Sequence, residues 1–254
     1  ADRARHTQSE IEVERARSAL LSSVSHDLRT PLTAITGAAT TLRDDASLGA
    51  ITRRELAETI ADEAQRLHRL IGNLLDVTRL ESGAMRVHKE WHSVEEVVGA
   101  ALTRLGPEIN GRTIQVSLAG LPLIPMDDIL FEQVVRNLVD NAIRHSGNDG
   151  PIRIHGRLED GELRLEVCDS GRGLSEEDQA RVFEKFYRGG GASHRGGAGL
   201  GLAICRGIVE AHGGTIGAAN RATGGAVFTV RLPVQGSPPT IESEADASMR
   251  EAHS

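Results

Sequence analysis

Between Arg15 and Arg43 the apolar positions fall at Leu21, Val24, Leu28, Pro31, Ile35, Ala38 and Leu42. Their spacings alternate between three and four, which is one face of an amphipathic helix. A second run, Leu56, Ile60, Glu63, Leu67, Leu70, Leu74 and Val77, repeats the pattern with a single polar interruption. Both have the heptad spacing of a coiled-coil seam. Between them "DDASLGA", Asp44 to Ala50, carries Asp, Ser and Gly and reads as a turn. The expected unit is a helical hairpin. A lone hairpin has little core, so its seam predicts a homodimer closed as a four-helix bundle. In "LESGAM", Gly83 is placed to end the second helix.

The pattern changes after Arg86. Strand-like pieces, "TIQVSL", "PIRIHGRL", "LRLEVCD", "TIGAAN" and "AVFTVRLP", alternate with helical ones at Ser93 to Leu105, Asp127 to Arg144 and Leu200 to Ala211. That mixture predicts an α/β sandwich, helices on one face of a mixed sheet. The fold class is therefore α+β: residues 1–84 a helical dimerisation domain, residues 85–234 an α/β sandwich, and residues 235–254 a tail without apolar periodicity, expected to be disordered.

Composition sharpens this modestly. A net charge of -7 with no offsetting basic run argues against nucleic acid as a partner. Two cysteines, Cys168 and Cys205, sit in apolar surroundings and suggest no disulfide framework. No apolar run reaches the roughly 18 residues of a membrane helix. The Arg- and Glu-rich opening, "RARHTQSEIEVERAR", begins without a cap and reads as the continuation of an upstream helix.

Three stretches carry candidate chemistry. In "SVSHDLRTPLT", His26 points ~160° away from the seam at 100° per residue. Asp27 can hold its Nδ1 proton and leave Nε2 nucleophilic. Pro31 costs roughly 3 kcal/mol inside a helix, a local violation of the sort found at functional sites. In "DILFEQVVRNLVDNAIRHS" the core face is Leu130, Val134, Leu138 and Ala142, while Gln133, Asn137, Asn141 and Arg144 form a neighbouring polar strip. Asn is a poor helix former, and a solvated face explains such a strip as well as Mg2+ and phosphate contacts do. In "CDSGRGL", Asp169 ends a strand, and Gly171 and Gly173 permit close backbone approach; a turn is the plainer reading. Farther on, "GGGASHRGGAGLGLAIC" begins as a flap, and Gly197, Gly199 and Gly201 lead into a helix whose first amides suit an anion. The Gly-x-Gly-x-Gly spacing does not fit a dinucleotide fold. His88 and His92 flank Trp91 and make a poor zinc pair.

In order, these pieces resemble the catalytic core of bacterial sensor histidine kinases. "SHDLRTPLT" is similar to the H box, "NLVDNAIRHS" to the N box, "DSGRGL" to the G1 box, "FEKFYRG" to the F box and "GAGLGLAIC" to the G2 box, with "GGTIGAANRATGGAVFTVRLP" closing the domain. The resemblance spans about Arg15 to Pro233. A narrower one, on "KEWHSVEEVVGAAL" and "LFEQVVRNLVDNA", is to the sensor kinases of potassium-uptake systems. Ser170, Arg172 and His145 depart from the commonest residues of their boxes.

The resemblance implies an ATP-binding domain of the histidine kinase, gyrase and Hsp90 type, a homodimer, ATP and Mg2+ as cofactors, and a place as the cytoplasmic portion of a membrane-anchored sensor protein whose upstream region feeds the opening helix. It makes His26 the phosphoacceptor, Asp27 its orienting group and proton acceptor, and Thr30, with Asp27, the residue that positions water for dephosphorylating a response regulator. Asn141, with Asn137, would serve Mg2+ and ATP, and Arg144 the phosphates. Asp169 would read the adenine amine, with Gly171 and Gly173 beside the base. Phe183 and Phe186 would anchor a lid, Arg188 reach the γ-phosphate, and Gly197, Gly199 and Gly201 wrap the phosphates. Where the related ATPases carry a water-activating Glu this chain has Asn137, which favours transfer to histidine over hydrolysis. An ATPase of the same fold and a catalytically silent dimeric scaffold are the alternatives.

Overall fold

The computed structural model describes residues 25, 27–109, 111–146, 150–189 and 199–236. They belong to two compact units, one comprising Ala1–Met85 with Ala180–Ile204, the other Arg86–Gln179 with Cys205–Ser254.

In the first unit, helix α1 (residues 27–44) and helix α2 (Ala50–Glu81) form the expected hairpin. The turn is built on Asp45, whose Oδ1 accepts the Ser47 N–H at 2.9 Å, an Asx turn that stops α1. The helix α2 ends where Gly83 adopts φ 63°, a conformation Gly takes without a Cβ penalty. The seam positions are those of the heptads: Pro31, Ala38 and Val77 are buried, and Leu28, Ile35, Leu42, Leu56, Ile60, Leu67, Leu70 and Leu74 are half-buried. Beside the seam, Leu32, Ile71 and Leu75 remain 48%, 46% and 53% exposed.

In the second unit, a five-stranded sheet has the order β2-β4-β5-β7-β6. Its strands are β2 (Ile114–Ser117), β4 (Ile152–Glu159), β5 (Glu162–Cys168), β6 (Thr215–Asn220) and β7 (Ala226–Pro233). Only the β2–β4 pair is parallel. Period-two alternation divides its faces. Ile152, Ile154, Leu163, Leu165, Val167, Phe228, Val230 and Leu232 are buried on one. Arg153, Arg157, Arg164, Glu166 and Arg231 lie on the other, where Arg164 pairs with Glu166 at 2.6 Å and Glu159 at 3.1 Å. The helices α3 (Val94–Leu105) and α4 (Asp128–His145), with the part of α6 (Gly201–Ala211) from Cys205 onward, complete the core with Val98, Phe131, Val135, Leu138 and Ile208. A two-stranded ribbon joins β1 (Glu90–His92) to β3 (Ile124–Met126). The His88–His92 stretch reads as strand-like and holds β1, whereas β3, three residues with a proline at the centre, and the short helix α5 (Glu176–Arg181) were not anticipated.

His212 follows α6 and is 1% exposed. Its Nε2 accepts the Asp127 N–H at 3.1 Å, so Nδ1 carries the proton and donates to the Ile208 carbonyl at 2.8 Å. Burial pushes its pKa below the ordinary value; Lys89 adds to the depression, while the Ile208 carbonyl and Asp127 oppose it. As pH falls below the usual value of about 6.5, the unfolded chain takes up the proton first. The stability contribution is thus complete above that value and is lost as pH falls toward the depressed one. Thermal melts should show a falling midpoint between neutral and mildly acidic pH, with a shallower fall in His212→Gln. Parallel slopes for the two proteins would refute this.

Candidate functional site

Asp169 immediately follows β5 and is 2% exposed. Its backbone N–H donates to the Ala226 carbonyl at 3.0 Å, extending the β5–β7 ladder by one residue. Its Oδ1 accepts the Gly171 N–H at 2.8 Å and the Ala226 N–H at 3.1 Å. Two charge-assisted bonds make the burial of this carboxylate tolerable. Among the described residues Oδ2 accepts none, so half of the carboxylate remains available to an N–H donor from outside.

Glycine sets the walls around it. A Cβ on Gly171 would lie 2.2 Å from the His145 carbonyl oxygen, and one on Gly225, at φ 82°, 2.1 Å from the Asp169 oxygen. Gly171 thereby lets the end of α4 close against the loop that carries Asp169. Ser146 caps α4 and its Oγ accepts the Ser170 N–H at 3.3 Å. Burial also pushes the His145 imidazole below its usual pKa, an effect that Asp169 opposes.

The polar strip of α4 lies along the same helix. Asn137 and Asn141 are both half-buried. Asn141 makes no side-chain hydrogen bond among the described residues, which fits a cation ligand. Asn137 hydrogen-bonds the buried Cys205, whose thiol is pushed up to about 12 by burial. Cys205 is therefore an inert neutral thiol, bonded also to the Val134 carbonyl. Arg144 lies against Asp140, with Nε at 3.0 and 2.9 Å from its two oxygens.

In the first unit, the Phe186 N–H donates to the Gly199 carbonyl at 2.8 Å. Phe186 has φ 65° and Gly199 φ 69°. A Cβ on Gly199 would approach the Phe186 carbonyl carbon and Tyr187 oxygen to 2.8 Å. The two ends of the glycine-rich connection are thus pinned together at their roots. Phe183 and Phe186 are half-buried, Arg188 is exposed, and Gly201 opens α6. On α1, Asp27 is half-buried and Thr30 exposed. His26 and Gly197 lie outside the described residues.

The structure thus brings Asp169, Gly171 and the end of α4 together. It adds residues the sequence reading missed. The Arg221 guanidinium donates to the Asp169 carbonyl at 2.8 Å, and Asn220 grips the backbone of Leu174. Only their position just after "GGTIGAA" hinted at a role. About fifty residues separate them from Asp169, and nothing in residue spacing predicts the contact.

With this geometry in place, comparison with known proteins gives a consistent result. Residues 126–236 match the family of histidine kinase-, DNA gyrase B- and HSP90-like ATPases. Residues 16–83 match the His Kinase A (phospho-acceptor) domain. Sensor protein KdpD of Escherichia coli strain K12 is 46% identical over 237 residues, which are 92% of this chain and 26% of that protein. The chain therefore spans about a quarter of that relative's length. Histidine kinase AdeS of Acinetobacter baumannii superposes with TM-score 0.65 at 25% identity, covering 83% of this chain and 98% of that one. Histidine kinase ThkA in complex with response regulator protein TrrA gives TM-score 0.61 at 25% identity, covering 90% of this chain and 66% of that one.

Proposed function

The chain belongs to the sensor histidine kinases, and we propose that it transfers the γ-phosphoryl group of ATP to His26 and from there to an aspartate of a response regulator. The observation that carries the nucleotide half is the buried Asp169, with one oxygen committed to two backbone amides and the other open. An exocyclic amine such as that of adenine supplies the missing donor. Gly171 and Gly173 stand beside the base.

In this reading Asn141, with Asn137 next to it, holds Mg2+, which neutralises phosphate charge when bound. Arg144, Arg188, Gly197, Gly199 and Gly201 serve the phosphates, and Phe183 and Phe186 anchor the segment between. His26 attacks through Nε2: its bond to phosphorus forms, the bond to the departing ADP oxygen breaks, and the imidazole proton passes to Asp27. Positioning and charge neutralisation do most of the work in such transfers. Thr30, with Asp27, orients water for the reverse traffic, removal of phosphate from the regulator. The regulator itself is supported by the ThkA complex with its response regulator. Exposed Leu32, Ile71 and Leu75 beside the seam support a second copy closing a four-helix bundle. Likeness to KdpD proteins favours potassium or osmotic signalling. Among the described residues no helix is long and apolar enough to cross a membrane, and membrane attachment in this reading comes through an upstream region.

Incubation with radiolabelled ATP and Mg2+, wild type beside His26→Gln, tests the proposal. Acid-labile, base-stable label on wild type that falls to background in His26→Gln is expected. ATP turnover without protein label would mean an ATPase, absence of both a scaffold, and label that survives the substitution a different acceptor.

A further inference from the structure

At the end of β6, the Asn220 side chain reads one residue of the facing loop from both sides. Its Oδ1 accepts the Leu174 N–H at 2.7 Å, and its Nδ2 donates to the Leu174 carbonyl at 2.7 Å. A carboxamide bonded in this way reproduces one rung of a β-ladder, with a side chain standing in for a strand. The contact joins positions 46 residues apart. It also explains a glycine: a Cβ on Gly173, at φ 79°, would lie 2.7 Å from Asn220 Oδ1.

The next residue holds the other end of the same loop. Arg221 donates to the Asp169 carbonyl at 2.8 Å and to the Gly224 carbonyl at 3.3 Å. The segment Asp169–Leu174 is therefore tied at its start by Arg221 and at its finish by Asn220. Between the ties lie the Asp169 carboxylate and the two glycines that border it. Neither Asn220 nor Arg221 directs a group at Asp169 Oδ2; both act on backbone.

We infer that Asn220 is a positioning residue for base recognition: by clamping Leu174 it fixes the loop between Asp169 and Leu174 against the end of β6, and so sets selectivity for an amine-bearing purine. The inference rests on the nucleotide reading above and assigns the clamp to the base rather than to the phosphates. Loss of the clamp frees the loop to shift, which blurs amine against carbonyl at the purine 6-position. The phosphate-handling residues sit on other elements and are not touched by it.

The test is displacement of a fluorescent ATP analogue by ATP, ITP and inorganic tripolyphosphate, each with Mg2+. ITP carries a carbonyl where ATP carries the amine. Asn220→Ala should lower the preference for ATP over ITP by about tenfold, the scale of one well-made hydrogen bond to a charged group lost from register. Tripolyphosphate displacement should stay as in wild type. Asn220→Asp keeps the acceptor for the Leu174 N–H and loses the donor, so an intermediate ratio is expected; it also serves if the alanine variant fails to fold. Val230→Ala, a core substitution in β7, is the control for mere destabilisation and should lower the melting temperature with the ratio unchanged. An unchanged ratio in both Asn220 variants, or an equal fall in Val230→Ala, overturns the inference. Wild type that binds neither nucleotide would instead overturn the nucleotide reading itself, and this inference with it.

Discussion

Asp169→Asn should reverse the choice of base rather than simply weaken it. The two backbone donors, Gly171 N–H at 2.8 Å and Ala226 N–H at 3.1 Å, both need an acceptor at the position of Oδ1. An asparagine has one oxygen, so that oxygen must face them. Its NH2 group is then turned outward, where the carboxylate offered Oδ2. A ligand amine now meets a donor instead of an acceptor. Hydrogen bonds to charged groups contribute about 1.5–3 kcal/mol, and the facing donors add repulsion, so ATP affinity should fall roughly 100-fold. A carbonyl at the purine 6-position gains the partner that the amine lost, so ITP should bind the variant better than ATP does. Competition binding of both nucleotides, with a melting curve for each protein, measures this. Equal losses for ATP and ITP would mean that the pocket has collapsed, and no loss would mean that Asp169 does not face the base.

How much of this was legible beforehand follows from which contacts are local. The heptads of the hairpin were readable because each seam residue is set by neighbours three and four positions away; Pro31, Ala38 and Val77 are indeed buried. The long strands were readable for the same reason at period two. Asp169 itself stood out as a carboxylate closing an apolar strand. What could not be read was its environment. The Ala226 amide, the Arg221 guanidinium and the His145 carbonyl reach it through a strand pairing and a helix end, and no short-range pattern encodes those. Arg144 is instructive in the opposite way. Asp140 one turn earlier supplies it a carboxylate at 2.9 Å, an i,i+4 pairing that spacing alone already allows. Cys205 shows the same limit: its burial was expected, its bond to Asn137 was not.

That bond bears on the second large effect, expected at Asn141. The two asparagines of α4 are one turn apart and both half-buried, but they are not equivalent. Asn137 is engaged by the Cys205 thiol, whereas Asn141 makes no side-chain hydrogen bond among the described residues. A neutral carboxamide oxygen without a protein partner is suited to a hard cation that also keeps waters and phosphate oxygens as ligands. Asn141→Ala should therefore abolish the gain in nucleotide affinity that Mg2+ brings, while affinity measured in excess chelator stays as in wild type. Phosphorylation of His26 should fall about a thousandfold, since a metal contributes several kcal/mol of charge stabilisation to such transfers. The binding arm needs no turnover, so it separates a lost cation ligand from a lost acceptor. Titration of a fluorescent ATP analogue with and without Mg2+ reads it directly. A variant whose affinity still rises with Mg2+ as steeply as wild type would remove Asn141 from the cation site. Asn137→Ala would then be the comparison to make, with the caution built into the structure that its loss also strips a hydrogen bond from a fully buried sulfur.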